Sequence, residues 1–452
     1  MVAVFATGLT LLACLAATAA LAVALAVEAA PGPGPHSTDK PGTALCLAEE
    51  PAVIKEGLNE FVEGRDEVVA FRGKYAVKTP DIFARVRERW ARVGLDPASA
   101  YLPMRVEMEL TTKCNDTCVT CGMGALPLAE GRTLTDGQIR FLLDQFASIG
   151  LPSLAVTGGE PFTAWRALLK VLEGAQERQI DISKLTTNGV WGTARRCGPV
   201  FDRLEEAGFL GTRLFVPLLM LSIGEQTTPL EDVARILHHA VSHYSDRELN
   251  VAVSSLADPA TRVHRIDELI AVYEKVYGTF PHDRVHSTMR VYLNNERLDE
   301  QAEVNRPGRT PVARWMDRCF DCFAPTVGAY ILPTSLLKQN GDWYTCAAFN
   351  VPEKLAFGNL LRERATDVIG HANRSAYVAR VRAGHGLKAL HDVVPRSFTE
   401  QTPCTSFCDS CTLLIDRFDK ETGQVTGRGR SAPLIPVAAL RSRTDRTAGG
   451  EA

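Results

Sequence analysis

RVEMELTTKCNDTCVTC, residues 105–121, joins an alternating run to a loop that carries Cys114, Cys118 and Cys121. Val106, Met108 and Leu110 fall on one side of an extended chain and Glu107 and Glu109 on the other, which is the period of a strand. The loop then places three thiols close together. An odd number suits no pairwise disulfide scheme, and three ligands close a tetrahedral zinc site only if a distant residue supplies the fourth. A cubic iron-sulfur cluster has four iron corners, so three thiolates would leave one iron open for another ligand. The spacing asks for a metal centre with one open position.

Outward from this run, a strand-and-helix beat continues to about residue 295. Strand candidates lie at 106–110, 153–157, 182–187, 214–223, 249–255 and 285–293, short and apolar enough to be buried on both faces. Helices fill the gaps. The first is marked by Thr135 and Gln138 as a capping box, by Ile139, Leu142, Leu143 and Phe146 at helical spacing, and by Gly150 as its stop. A later helix carries Val233, Ile236, Leu237 and Ala240 on one face, and the next carries Ile266, Leu269, Ile270 and Tyr273. Six such units predict an α/β fold: a partial (β/α)6, TIM-like barrel with helices outside a parallel sheet and functional loops at the carboxyl ends of the strands. The cysteine loop follows the first strand, Gly158-Gly159-Glu160-Pro161 the second, Thr187-Asn188-Gly189 the third and Ser222-Ile223-Gly224-Glu225 the fourth. All four are expected on one rim. The glycine pair, lacking Cβ atoms, would let an extended ligand lie against its backbone.

Cys114-x3-Cys118-x2-Cys121 followed by TGGEP resembles the radical S-adenosylmethionine superfamily. The resemblance covers roughly residues 105–295. It implies a [4Fe-4S] cluster on the three thiolates, with the amine and carboxylate of S-adenosylmethionine on the fourth iron and a 5'-deoxyadenosyl radical as the reactive species. Gly158, Gly159, Glu160 and Pro161 carry over as cofactor contacts, and Asn188 and Ser222 as rim residues near the ribose. A flavodoxin- or ferredoxin-type electron donor is implied as well. Two departures are visible. Thr120 stands where the family commonly has an aromatic residue, and NVAVSS (250–255) lacks the glycine-containing adenine signature, so the adenine contacts are unassigned.

A second cysteine group comprises Cys319, Cys322, Cys346, Cys404, Cys408 and Cys411. Around Asn340-Gly341 two strand-like runs predict a hairpin whose returning strand ends at Cys346, with a helix near 370–383 before the last three cysteines. Gly341-x4-Cys346, the later GNL and the closing Cys408-x2-Cys411 resemble the SPASM and twitch auxiliary-cluster domains. That resemblance implies a C-terminal α+β module with one auxiliary [4Fe-4S] cluster, Cys322, Cys346, Cys408 and Cys411 being its first-choice ligands. Cys319 and Cys404 could replace one of these, serve a second cluster, or donate a hydrogen atom. Cys-x2-Cys pairs also occur in structural zinc sites.

The 452 residues allow two or three domains, and a net charge of −3 argues against nucleic acid as the main partner. Nine of the twelve cysteines sit in the two groups, which favours metal ligation in a reducing compartment; Cys14, Cys46 and Cys197 read as small buried or incidental residues. The expected divisions are a hydrophobic segment at 1–27, a linker at 28–50, an extension at 51–104, the barrel at 105–300, the auxiliary module at 301–422 and a disordered tail at 423–452. Residues 2–27 carry no charge and are long enough to span a bilayer. They read as a membrane anchor, a cleaved signal or a start assigned too far upstream, and the expected location is the cytoplasm, with membrane association through residues 2–27 if that segment is an anchor.

The leading functional expectation is a radical enzyme that modifies a C–H position of a small natural product or a ribosomally made peptide. Residues 51–104 hold one strand candidate and one helix, thin for a peptide-recognition domain. An iron-sulfur electron carrier and a zinc-stapled binding protein are the alternatives. Cofactor cleavage separates the first from them, and absorbance of anaerobically purified protein separates the last.

Overall fold

The computed structural model describes residues 61–64, 67–71, 76–77, 82–94, 102–116, 118, 121, 124–223, 228–255, 265–289, 310–316, 334–346, 353–383, 387–404, 407–423 and 425. Cys14, Cys46, Cys319, Cys322, the hydrophobic segment and nearly all of the tail lie outside them. Among the described residues no helix is long and apolar enough to cross a membrane.

In chain order the strands run β1 (Phe61–Gly64), β2 (Glu67–Phe71), β3 (Ala76–Val77), β4 (Arg105–Thr111), β5 (Lys113–Cys114), β6 (Leu126–Pro127), β7 (Ser153–Gly158), β8 (Asp181–Thr187), β9 (Phe215–Val216), β10 (Leu218–Ile223), β11 (Asn250–Ser255), β12 (Val285–Met289) and β13 (Thr310–Pro311). The six read from the sequence are β4, β7, β8, β10, β11 and β12. They pair in parallel and in chain order, each beside the next. Helices Asp136–Ser148, Trp165–Glu177, Cys197–Glu206, Leu230–His243 and Ile266–Tyr277 connect them. The capping box forms as expected, with Thr135 accepting the Gln138 N–H and Gln138 accepting the Thr135 N–H. Gly150 ends that helix at φ +64°.

The core lies between the sheet and these helices. Val106, Met108 and Leu110 of β4 pack with Ile139, Leu142, Leu143 and Phe146, and Leu219 and Leu221 of β10 with Val233, Ile236 and Leu237. Cys197 is buried in this layer. The alternate residues of the strands face the other way. There Leu218, Met220 and Ala252 form a separate small apolar cluster, and Arg105, Glu107, Glu109 and Lys184 are buried on the same side of their strands. The structure is an α/β fold whose central sheet is largely parallel.

The hairpin is formed by β14 (Thr334–Leu337) and β15 (Asp342–Tyr344), with Gly341 at φ +90° in the turn and Cys346 two residues past the returning strand. Its placement was not legible from the sequence: β14 pairs in parallel with β4, and β16 (Ala356–Asn359) adds to β15, so the central sheet runs on into this hairpin. Trp343 packs edge-on against Phe146, and its indole N–H donates to Ser335. The expected single helix near 370–383 is two, Ala365–Arg374 and Ala376–Ala383, broken where the Ser375 hydroxyl accepts the Val378 N–H and donates to the Val425 carbonyl.

Candidate functional site

The cysteine loop, Gly158–Pro161 and Thr187–Gly189 follow the carboxyl ends of β4, β7 and β8, and Ser222 and Ile223 close β10 at the same end, Gly224 and Glu225 lying outside the described residues. Thr111 is opposite Gly158, and Thr187 opposite Leu221, which precedes Ser222. The glycine pair sits directly on the cysteine loop. The Gly159 N–H donates to the Thr111 carbonyl at 2.6 Å, and the Glu160 N–H to the Lys113 carbonyl at 2.7 Å. A Cβ at Gly158 would overlap the Thr111 carbonyl oxygen, and one at Gly159 the Lys113 carbonyl oxygen. Gly158 also has φ +144°, a region closed to most L residues. The glycines therefore answer first to the close approach of two strand ends. The Gly159 and Glu160 N–H groups are committed to the loop, and what this edge can offer a ligand amine is carbonyl oxygens.

Glu160 is the hub behind that edge. Its carboxyl group is fully buried and accepts the Asn188 N–H at 2.6 Å, the Thr187 hydroxyl at 2.8 Å and the Phe162 N–H at 3.0 Å. Burial pushes its pKa up to about 7, against the lowering effect of those three donors. Pro161 opens a short 3-10 turn, Pro161–Ala164, and Phe162 stacks between Trp165 and Trp191 at 5.6 and 4.8 Å. The Trp191 indole N–H donates to the Thr187 hydroxyl.

The thiol loop is pinned at both ends. Lys113–Cys114 pairs with Leu126–Pro127, and the Thr112 N–H donates to Arg132. Cys114 is buried, and Cys118 and Cys121 are half-buried. The Cys114 sulfur accepts the Asp116 N–H at 3.4 Å, and the Cys121 sulfur the Ala125 N–H at 3.5 Å. Burial pushes the Cys114 thiol up to about 12, and the charges of Glu160, Cys118 and Cys121 add to the effect. Three thiols fall within eight residues of one loop, and two of the three sulfurs already receive backbone N–H groups, as metal-bound thiolates do. The donor chemistry fits a thiolate-held cluster. Among the described residues no group of three or more His, Cys, Asp or Glu side chains is gathered as a ready-made metal site.

Ser222 is half-buried at the end of β10, in register with Ser254. In the second cysteine group, Cys346 is half-buried beyond the hairpin. Cys404 is buried in a short strand, Pro403–Cys404, paired with Thr310–Pro311, and the Cys411 sulfur is 3.2 Å from the Tyr377 hydroxyl. Cys408 and Cys411 fall in helix Phe407–Thr422.

Three hydrogen-bond acceptors, Asn115, Glu107 and Glu109, escaped the sequence reading. Asn115 bonds to Asn188 across the rim. Glu107, on the strand face turned from the helices, accepts Arg105 at 3.0 Å and Lys184 at 2.6 Å, all three buried. Glu109, one pleat nearer the thiol loop, accepts the Gln339 N–H at 2.8 Å, and burial raises its carboxyl pKa. The alternation of Glu107 and Glu109 with apolar residues was the one signal present. His238 and His239 are ordinary packing residues, stacked on Tyr277 and Phe201.

No protein-family model matches the chain. Over 61 residues, 14% of this chain and 18% of the relative, it is 38% identical to the AdoMet-dependent heme synthase of Methanosarcina barkeri. Over 133 residues, 29% of this chain and 43% of the relative, it is 22% identical to a probable GTP 3',8-cyclase of Methanocaldococcus jannaschii. The matches thus span less than half the length of these curated relatives. Among solved structures, Streptococcus suis SuiB bound to precursor peptide SuiA is similar at 13% identity and a TM-score of 0.41, covering 79% of this chain and 85% of that one. By its cysteine motif and by these relatives, the chain is similar to the radical S-adenosylmethionine enzymes.

Proposed function

We propose that this protein is a radical S-adenosylmethionine enzyme acting on a C–H position of a small natural product or a peptide. The observation that carries the reading is the stitching of two motifs distant in sequence: the Gly159 and Glu160 N–H groups bond to the Thr111 and Lys113 carbonyls, at the root of the thiol loop. In this reading Cys114, Cys118 and Cys121 hold a [4Fe-4S] cluster that, with S-adenosylmethionine on its open iron, supplies a 5'-deoxyadenosyl radical. Carbonyls of the Gly158–Pro161 segment accept the methionyl ammonium, and Asn188 and Ser222 border the ribose. The connecting helices shut one face of the sheet, and the opposite face, with the partial barrel curled around it, receives substrate. The protein draws its electron from a flavodoxin- or ferredoxin-type donor.

The second cysteine group forms a twitch-like module with one auxiliary cluster. Cys408 and Cys411 stand three residues apart near the start of a helix, whose N-terminus favours thiolates. Cys346, past the hairpin, and Cys322 complete the set.

The test is deoxyadenosine release, followed by chromatography after anaerobic reconstitution and dithionite reduction. The wild-type chain is expected to cleave S-adenosylmethionine slowly without substrate, and Cys118→Ala is expected to yield none. A reconstituted wild-type cluster that produces no deoxyadenosine, or undiminished cleavage in Cys118→Ala, would overturn the reading.

A further inference from the structure

Asn115 stands between the first two thiols of the loop, and its side-chain carbonyl accepts the Asn188 Nδ2–H at 3.0 Å across a sequence separation of 73 residues. Asn188 has no freedom to choose this partner. Its main-chain N–H is held by Glu160, and its Oδ1 accepts the Val190 N–H at 3.1 Å, so the Nδ2 edge is turned to the loop. The direction is enforced further back. The Thr187 hydroxyl accepts the Gly189 N–H at 3.0 Å and the Trp191 indole N–H at 3.2 Å, which sends its own proton to Glu160. One chain of oriented bonds therefore runs from the end of β7 through the end of β8 into the thiol loop. Asn188 is buried and Asn115 half-buried, so water has access to the bond only from the Asn115 side.

We infer that Asn115 and Asn188 are positioning residues: their bond holds the thiol loop at a set distance from the Gly158–Pro161 carbonyls, so that iron and methionyl group are presented together. This rests on the reading above that the loop holds the cluster. It gives the Asn188 Nδ2–H to the loop while the residue stays at the rim. The bond closes the third side of a triangle whose other two sides are the backbone bonds from Gly159 and Glu160 to the loop and the bonds from Glu160 to β8.

Two measurements on the full chain test the inference separately from the function. On protein without a cluster, hydrogen exchange of residues 112–118 should quicken in Asn115→Ala and in Asn188→Ala, with unfolding midpoints close to wild type. On reconstituted protein, each variant should keep its iron, and Asn115→Ala should also keep its maximal rate of deoxyadenosine release. The S-adenosylmethionine concentration that half-perturbs the electron paramagnetic signal of the reduced cluster should rise roughly fivefold to tenfold, the worth of one hydrogen bond. The double variant should show the same rise and not its square, because both substitutions remove one bond. Unchanged exchange in both variants, or independent effects that multiply, would overturn the inference and leave the functional reading standing. Quickened exchange in a protein whose wild type never responds to S-adenosylmethionine would support the brace and sink the function. If Asn188→Ala does not fold, Asn115→Ala alone decides through the same two readouts.

Discussion

The α-carbon of Gly159 faces the Lys113 carbonyl oxygen so closely that a methyl group there would overlap it, and the adjoining Glu160 N–H donates to that same oxygen at 2.7 Å. The backbone atoms in the way belong to the root of the thiol loop, and Cys114 is the next residue. A side chain at 159 must displace that root.

Gly159→Ala is therefore expected to lower the iron retained on reconstitution as well as S-adenosylmethionine binding, and to destabilise the fold by about 1–3 kcal/mol, the usual cost of overpacking. Iron per chain and a denaturant midpoint check it. Full iron content with binding alone impaired would place the glycine's role at the ligand.

Glu160 gives the protein a pH signature. Its pKa is raised to about 7 from an ordinary carboxyl value, so the protonated form is the one favoured by burial. The stability it contributes is fully present below the unfolded pKa and is lost as pH rises through 7, about 3 kcal/mol across that window. In cluster-free protein, the melting temperature should fall between pH 5 and pH 8, and Glu160→Gln should flatten that slope while lowering stability at pH 5 by disturbing its three donors. An identical pH slope in the variant would show that other groups set it.

The Glu107 carboxylate joins Arg105 and Lys184 inside the sheet. Glu107→Gln leaves two buried cations without their shared anion and should cost about 3–5 kcal/mol, whereas Lys184→Met removes one cation and keeps the Arg105 pair, a milder loss. Equal midpoints for the two variants in urea would argue against the carboxylate as the centre of this group.

Iron stoichiometry separates one cluster from two. Reconstituted wild type should hold about eight irons per chain if an auxiliary [4Fe-4S] cluster is present, and Cys346→Ala about four, with slow cofactor cleavage retained. About four irons in both proteins would remove the auxiliary cluster. Cys404, buried in its own short strand pair, should be replaceable by Ala without iron loss if it is packing and not a ligand.

Local order along the chain was enough to reveal the repeating architecture. Apolar residues in the six strand segments, the Thr135–Gln138 box and the stop at Gly150 act over a few residues, and period and capping are properties of neighbours in sequence. The thiol spacing is equally local, so Cys114, Cys118 and Cys121 announced their chemistry before any fold was known. Contacts between segments far apart in sequence left no such trace. Pairing of β14 with β4, the overlap that makes Gly158 and Gly159 obligatory and the Asn115–Asn188 bond each depend on register between parallel strands, which no short-range pattern encodes. Glu107 and Glu109 show the same division: alternation put both on one face of β4, but whether that face met water or Lys184 and the Gln339 amide was decided only when distant strands closed over it, because the cost of burying a charge depends on partners that folding brings to it.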